Sequence, residues 1–163
     1  TMTEVQGALA ALCETGAPDR AGALDAFHAK WKDEPLVMDK WFAVQAMAPR
    51  ADTLEIVEKL MRHPGFSIRN PNKVRALIGA FAQGNPVGFH RADGAGHRFL
   101  AARVLELNAL NPQGAARMLG TMTRWRRYDA MRAAGMRRAL ERVVAAPGLS
   151  KDVFEIASKS LAE

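Results

Sequence analysis

A chain of 163 residues, 48% apolar and 25% charged, has enough hydrophobic material for one domain that hides roughly 70% of its unfolded surface, which excludes an intrinsically disordered segment. No run approaches about 18 consecutive apolar residues, so no membrane span is expected, while the formal charge of +6 leaves an acidic partner as an open question. Aromatic residues are only 7% of the chain, whereas Ala, Leu and Met are abundant, a balance that favours helix over sheet.

The opening Thr1-Met2-Thr3-Glu4 lacks the basic and apolar regions of a signal peptide and reads as a cut boundary rather than a natural start. The single cysteine, Cys13, cannot close an internal disulfide, which fits a reducing, cytoplasmic setting. It falls in an apolar first helix with no histidine nearby in sequence, the setting of an inert thiol rather than a nucleophile.

Short helices punctuated by Pro, Gly and Asn follow. Leu24, Phe27 and Trp31 share i, i+3, i+7 spacing, and Val37, Trp41 and Val44 after Pro35 share i, i+4, i+7. Asp52-Thr53-Leu54-Glu55 has the spacing of a capping box and leads into Leu54, Val57 and Met61 on one face. Asn70-Pro71 and Asn111-Pro112 each predict a capping Asn with Pro at the first helical position. Val74, Leu77, Ile78 and Phe81 follow the first, and Ala115, Met118, Leu119 and Met122 the second. Further helices are predicted around Phe99–Leu107, Met131–Val144 and Val153–Leu161, the last capped by Ser150. Between Gly84 and Gly96, Pro86, Gly88 and Gly94 break any continuous helix, making this the longest irregular stretch. No strand pattern survives. Helices this short, joined by brief turns, predict an all-α fold of stacked antiparallel pairs curving into a superhelical, HEAT- or armadillo-like arch, although no clean sequence repeat marks it as a regular repeat protein.

Catalytic chemistry is missing. The histidines are His28, His63, His90 and His97, with no His-Glu-x-x-His and no i, i+4 pair, so a zinc site of that kind is not encoded. His90 and His97 flank Asp93 in the Gly-rich stretch without recognised ligand spacing, and an exposed loop with polar contacts is the simpler reading. Neither a phosphate-binding loop nor a nucleophile elbow occurs. Positive charge is densest from Arg117 to Arg142, where eight arginines meet only Asp129 and Glu141. Within it, Arg124, Arg126, Arg127 and Arg132 form a basic run that suits a solvated face or a neighbouring domain better than nucleic acid, since no stacking aromatics or reading helix accompany it. Trp31, Trp41 and Trp125 read as core or interface anchors.

A set of words in fixed order adds to this. Phe27-His28-Ala29-Lys30-Trp31, Leu36-Val37-Met38-Asp39-Lys40-Trp41-Phe42 and His63-Pro64-Gly65-Phe66 come first. Asn70-Pro71-Asn72-Lys73-Val74-Arg75, Gly79-Ala80-Phe81, Asn85-Pro86 with Phe89-His90, and Asp93-Gly94-Ala95-Gly96 come next. Leu107-Asn108, Asn111-Pro112-Gln113, Arg127-Tyr128-Asp129 and Leu149-Ser150-Lys151-Asp152 complete the series. From about Ala23 to Ala162 the chain resembles the C-terminal domain of the bacterial aminopeptidase N family, the zinc-dependent alanyl aminopeptidases. Gly114 and Gly135 depart from that pattern, which has bulkier residues there.

The resemblance implies that residues 1–163 form a single helical domain with no cofactor of its own, attached to an upstream catalytic domain that carries the zinc. It implies a superhelix that closes over the active site, encloses a cavity and admits peptide substrates through restricted openings. By position, Gln113 resembles a residue that walls the pocket for the substrate's first side chain, and Arg117 and Arg75 resemble cavity-lining arginines. The helix geometry is compatible: Gln113 and Arg117 are i, i+4 neighbours on the face opposite Ala115, Met118 and Leu119. A guanidinium about 10 Å from a peptide carboxylate, at an effective dielectric of about 20, attracts it by about 1.7 kcal/mol, enough to bias an approach. A freestanding scaffold that binds another protein in a concave face, and an arginine-driven nucleic-acid binder, are the competing readings.

Overall fold

The computed structural model describes residues 1–15 and 18–162, side chains at 14 and 15 excepted. The described residues form helices and no strand, and no helix among them is long and apolar enough to cross a membrane. Two compact units divide the chain, Thr1–Gly88 and Phe89–Glu163.

The first unit contains α1 (Met2–Thr15), α2 (Arg20–Trp31), α3 (Pro35–Ala46) and α4 (Thr53–Leu60), then α5 (Pro71–Val74), a π-helical turn at Arg75–Gly79, and α6 (Ala80–Gly84). Helix α3 is its axis: α1, α2, α4 and the π-helical turn all pack on it. Met38, Trp41, Phe42 and Val44 of α3 are buried; of the predicted Val37, Trp41 and Val44 stripe, Val37 is only half-buried. Polar atoms lock the neighbours in place. Trp41 Nε1 donates to the Leu24 carbonyl of α2 at 2.9 Å. Lys73, 7% exposed, donates from Nζ to Asp39 Oδ1 at 2.6 Å and to the Pro35 carbonyl at 2.8 Å, tying α5 to the start of α3. Asn85 Nδ2 donates to the Ala46 and Ala48 carbonyls, both at 2.9 Å, covering the end of α3.

The predicted Asn70 cap forms, its Oδ1 accepting from the Asn72 and Lys73 amides. The predicted capping box does not close at Asp52. That carboxylate is held by Arg50, at 2.9 and 3.1 Å, and its side chain makes no cap hydrogen bond; two charge-assisted bonds to a guanidinium outcompete an amide donor. The same contact holds the Asp52 carboxyl below its ordinary pKa.

A short helix, α7 (Pro86–Phe89), interrupts the stretch predicted as irregular. The second unit then holds α8 (Ala95–Asn108), α9 (Pro112–Leu119), two 3-10 turns at Gly120–Met122 and Trp125–Arg127, α10 (Ala130–Ala145) and α11 (Lys151–Ala162). α8 packs against α9 and α10, and α11 covers α9 and α10. The predicted Asn111 and Ser150 caps both form, and Asp129 caps α10 through the Arg132 amide. Asn108 clamps the turn before α11, donating to the Gly148 carbonyl and accepting from the Ser150 amide.

His97 is the critical polar residue of this unit. It is 1% exposed, its Nε2 lies 3.0 Å from His90 Nδ1, and its Nδ1 has no hydrogen-bond partner among the described residues. A Cβ on Gly135 would sit 2.5 Å from that Nδ1, so α10 approaches the imidazole as closely as a glycine permits. The arrangement that leaves no buried N–H unpaired has His97 Nε2 donating to His90 Nδ1, with the bare Nδ1 lone pair against Gly135. Gly96 serves a similar close approach, since a Cβ there would come within 2.2 Å of the Phe89 carbonyl oxygen, and Gly94 takes a left-handed φ of 75° ahead of α8.

Two predictions follow from this contact. Gly→Ala inside a helix ordinarily stabilises by up to about 1 kcal/mol, but Gly135→Ala should destabilise by about 1–3 kcal/mol, because the buried ring has nowhere to move. A urea midpoint raised by the substitution would contradict this. The second concerns pH. Burial first, and then the neighbouring charges of His90, Arg132 and Arg98, push the His97 pKa down to about 4. The folded state then binds fewer protons than the unfolded one between about pH 4 and the ordinary histidine value, so stability rises with pH across that window and is lost as pH falls through it. His97 should account for at most about 3 kcal/mol of the loss. His97→Leu should flatten the pH dependence of the urea midpoint between about pH 7 and pH 4.5; an unchanged slope would exclude His97 as its source.

Candidate functional site

Gln113 and Arg117 are both exposed on α9, whereas Ala115, Ala116, Met118 and Leu119 are buried. The helix therefore presents the two polar side chains together, one turn apart. Asn111 places them by starting the helix, its Oδ1 accepting from the Gly114 amide at 3.0 Å. A Cβ at Gly114 would come within 2.5 Å of Asn111 Nδ2, so the glycine leaves room for its own capping residue. Neither side chain forms a hydrogen bond or ion pair among the described residues, so both remain available to a ligand.

Arg75 belongs to the first unit. It is exposed and opens the π-helical turn Arg75–Gly79, in which Leu77, Ile78 and Gly79 are buried. Such a turn inserts an extra residue into the α-helical register and recurs at functional positions. Arg75 also donates from Nη2 to Asn72 Oδ1, a contact that orients the guanidinium within the Asn70–Arg75 word. The π-turn is not visible in the apolar spacing, which reads as continuous through Val74, Leu77, Ile78 and Phe81.

The basic run separates into different roles. Arg126 donates to the Ser160 carbonyl at 2.7 Å and the Leu161 carbonyl at 3.1 Å while its guanidinium lies 4.0 Å from the Trp125 ring centroid. It thus covers the carbonyl end of α11, assisted by Trp125 Nε1 on the same Ser160 carbonyl. Arg132 bridges Asp129 at 2.5 Å and the His90 carbonyl at 3.2 Å. Arg124 and Arg127 are exposed.

No group of three or more His, Cys, Asp or Glu side chains converges among the described residues. Asp93, between His90 and His97 in sequence, is engaged by Arg91 at 2.8 Å and by the Ala95 amide, and the Arg91 guanidinium holds its carboxyl far below the ordinary range. The ring nitrogens of His90 and His97 meet each other instead, and Tyr128 stacks on His90 with centroids 4.5 Å apart.

Known proteins resemble this chain along nearly its whole length. Aminopeptidase N of Caulobacter vibrioides is 48% identical over 160 residues, covering 98% of this chain and 18% of that protein. Aminopeptidase N of Escherichia coli is 44% identical over 161 residues, with 99% and 18% covered. The chain thus spans less than a fifth of the length of these relatives and matches their C-terminal part. A crystal structure of Legionella pneumophila aminopeptidase A in complex with aspartic acid superposes with a TM-score of 0.94 at 39% identity, covering 99% of this chain and 19% of that one. The family model for a domain of unknown function with ARM repeats, DUF3458_C, matches residues 1–162. The chain belongs to that family of helical ARM-repeat domains.

Proposed function

We propose that this chain is the non-catalytic C-terminal domain of a zinc aminopeptidase of the alanyl type, which caps the catalytic domain, encloses its cavity and helps admit and orient peptide substrates. The observation that carries the reading is 44–48% identity to the C-terminal part of aminopeptidase N across nearly the entire chain. That likeness is joined to a sequence with no His-Glu-x-x-His motif. The zinc and the hydrolysis belong to the upstream domain of the same polypeptide, and a cytoplasmic location goes with that assignment. One family model running through both compact units supports treating residues 1–163 as one functional domain.

Gln113, Arg117 and Arg75 are the proposed cavity-lining residues, with Gln113 walling the pocket for the first side chain and the arginines drawing the peptide's trailing carboxylate. Their exposure, and the absence of protein partners for Gln113 and Arg117 among the described residues, favour that role. Occupation of Arg126 and Arg132 by carbonyls and a carboxylate within the fold weakens the nucleic-acid alternative.

Arg75→Glu combined with Arg117→Glu in the full-length enzyme should raise KM for tetrapeptides and longer substrates by about threefold to tenfold. KM for a single-residue chromogenic substrate should stay within about twofold, since only the longer substrates place a carboxylate near the arginines. Steady-state kinetics on both substrate lengths check this, and equal effects on the two would remove the cavity role.

A further inference from the structure

A groove of about 480 Å³ opens in the first unit, lined among others by Leu24, Asp25, Trp41, Lys59 and His63, a volume within the range of small-ligand sites. Its walls follow from helical spacing. Positions 21, 24, 25 and 28 of α2 and positions 56, 59, 60 and 63 of α4 and its continuation line it, and each set runs i, i+3, i+4, i+7. Trp41 and Gln45, one turn apart on α3, line it as well.

The floor is apolar and aromatic: Leu24, Leu60 and Trp41 are 8%, 7% and 6% exposed. The His28 and His63 rings meet edge to face at 5.0 Å between centroids, and each lies about 5 Å from the Trp41 ring. His63 Nδ1 accepts from the Gly65 amide at 2.9 Å, leaving its proton on Nε2. Burial first, and then the proximity of His28, hold the His63 pKa below its ordinary value. This end of the groove is an aromatic wall of two imidazoles against the Trp41 indole.

Opposite charges line the rest. Arg20 and Asp25 come from α2 and Lys59 from α4. Arg20 Nε is buried with no acceptor among the described residues, and the side chains of Asp25 and Lys59 form no ion pair or hydrogen bond there. Arg20 and Asp25 are about 7.5 Å apart along the helix axis, a gap that long basic side chains close over a molecule of amino-acid size. Arg20 already lies in the electrostatic field of Asp52, and a carboxylate in the groove would meet its guanidinium through forked donors.

We propose that this groove binds a free amino acid with an aromatic or large apolar side chain. Its carboxylate meets Arg20 and Lys59, its ammonium meets Asp25, and its side chain lies against Trp41, His28 and His63. The assignment rests on the groove alone and does not depend on the role given to Gln113, Arg75 and Arg117.

The test is a titration of the ¹⁵N-labelled chain with phenylalanine, N-acetylphenylalanine and phenylalaninamide, following the Trp41 indole N–H by NMR. Phenylalanine should saturate with a Kd of about 1 mM or below, and each analogue, lacking one charge, should bind about tenfold more weakly. Asp25→Asn should weaken phenylalanine about tenfold while leaving N-acetylphenylalanine unchanged, and Lys59→Met should weaken phenylalanine while leaving phenylalaninamide unchanged. Asp25 and Lys59 are exposed, so both variants should keep the parent melting temperature. The proposal is overturned by no saturable shift up to about 20 mM, by equal affinity for the three compounds, or by substitutions that weaken all three alike.

Discussion

Each end of a short helix leaves up to four backbone amides or carbonyls without partners, and a chain built from many short helices multiplies these ends. Much of its polar sequence answers that requirement. Asn70, Asn111, Asp129 and Ser150 accept amides at helix starts, while Asn85 donates to carbonyls at the end of α3 and Arg126 to carbonyls at the end of α11. An uncapped helix end inside a packed domain would lose about 1 kcal/mol or more, so these side chains decide where each helix begins and therefore which residues its faces show.

That constraint explains why short polar words carried the family resemblance. Asn70-Pro71, Asn85-Pro86 and Asn111-Pro112 each pair a capping or clamping amide with a proline that fixes the entry of the next helix. Only the Asn-Pro word recurs, at positions 70, 85 and 111, while Asp129 and Ser150 cap the starts of α10 and α11, so the shared ARM-repeat unit is carried by packed helix pairs more than by repeated words. Where two partners compete for one side chain, the spacing misleads. Asp52 has the position of a cap, but Arg50, two residues before it, takes its carboxylate instead.

Features that depend on distant residues were out of reach of periodicity. Gly135 reads as an unfavourable helix residue until His97, 38 positions earlier, is found against it. The π-helical turn at Arg75 escapes because one inserted residue leaves the apolar stripe nearly unchanged. The basic run likewise reads as one patch, although Arg126 and Arg132 point into contacts with Ser160 and His90. The candidate residues Gln113 and Arg117 were more accessible to sequence reasoning, because a capped helix with a complete apolar face fixes what must point outward.

The groove shows the limit of that reasoning from the other side. Its two charged walls use the same i, i+3, i+4, i+7 spacing as a buried helix face, and Leu24, Leu60 and Trp41 are counted as core by any burial criterion. The interspersed Arg20, Asp25 and Lys59 distinguish it from a closed seam, and charged residues at such positions ordinarily read as the solvated edge of an amphipathic stripe. The distinction appears once the helices are in place: Asp25 of α2 and Lys59 of α4 form no ion pair among the described residues and flank an aromatic floor from opposite helices. Whether apolar spacing makes a core or a binding surface is thus set by the separation of the helices, a tertiary quantity that the wide side chains of Trp41, His28 and His63 impose.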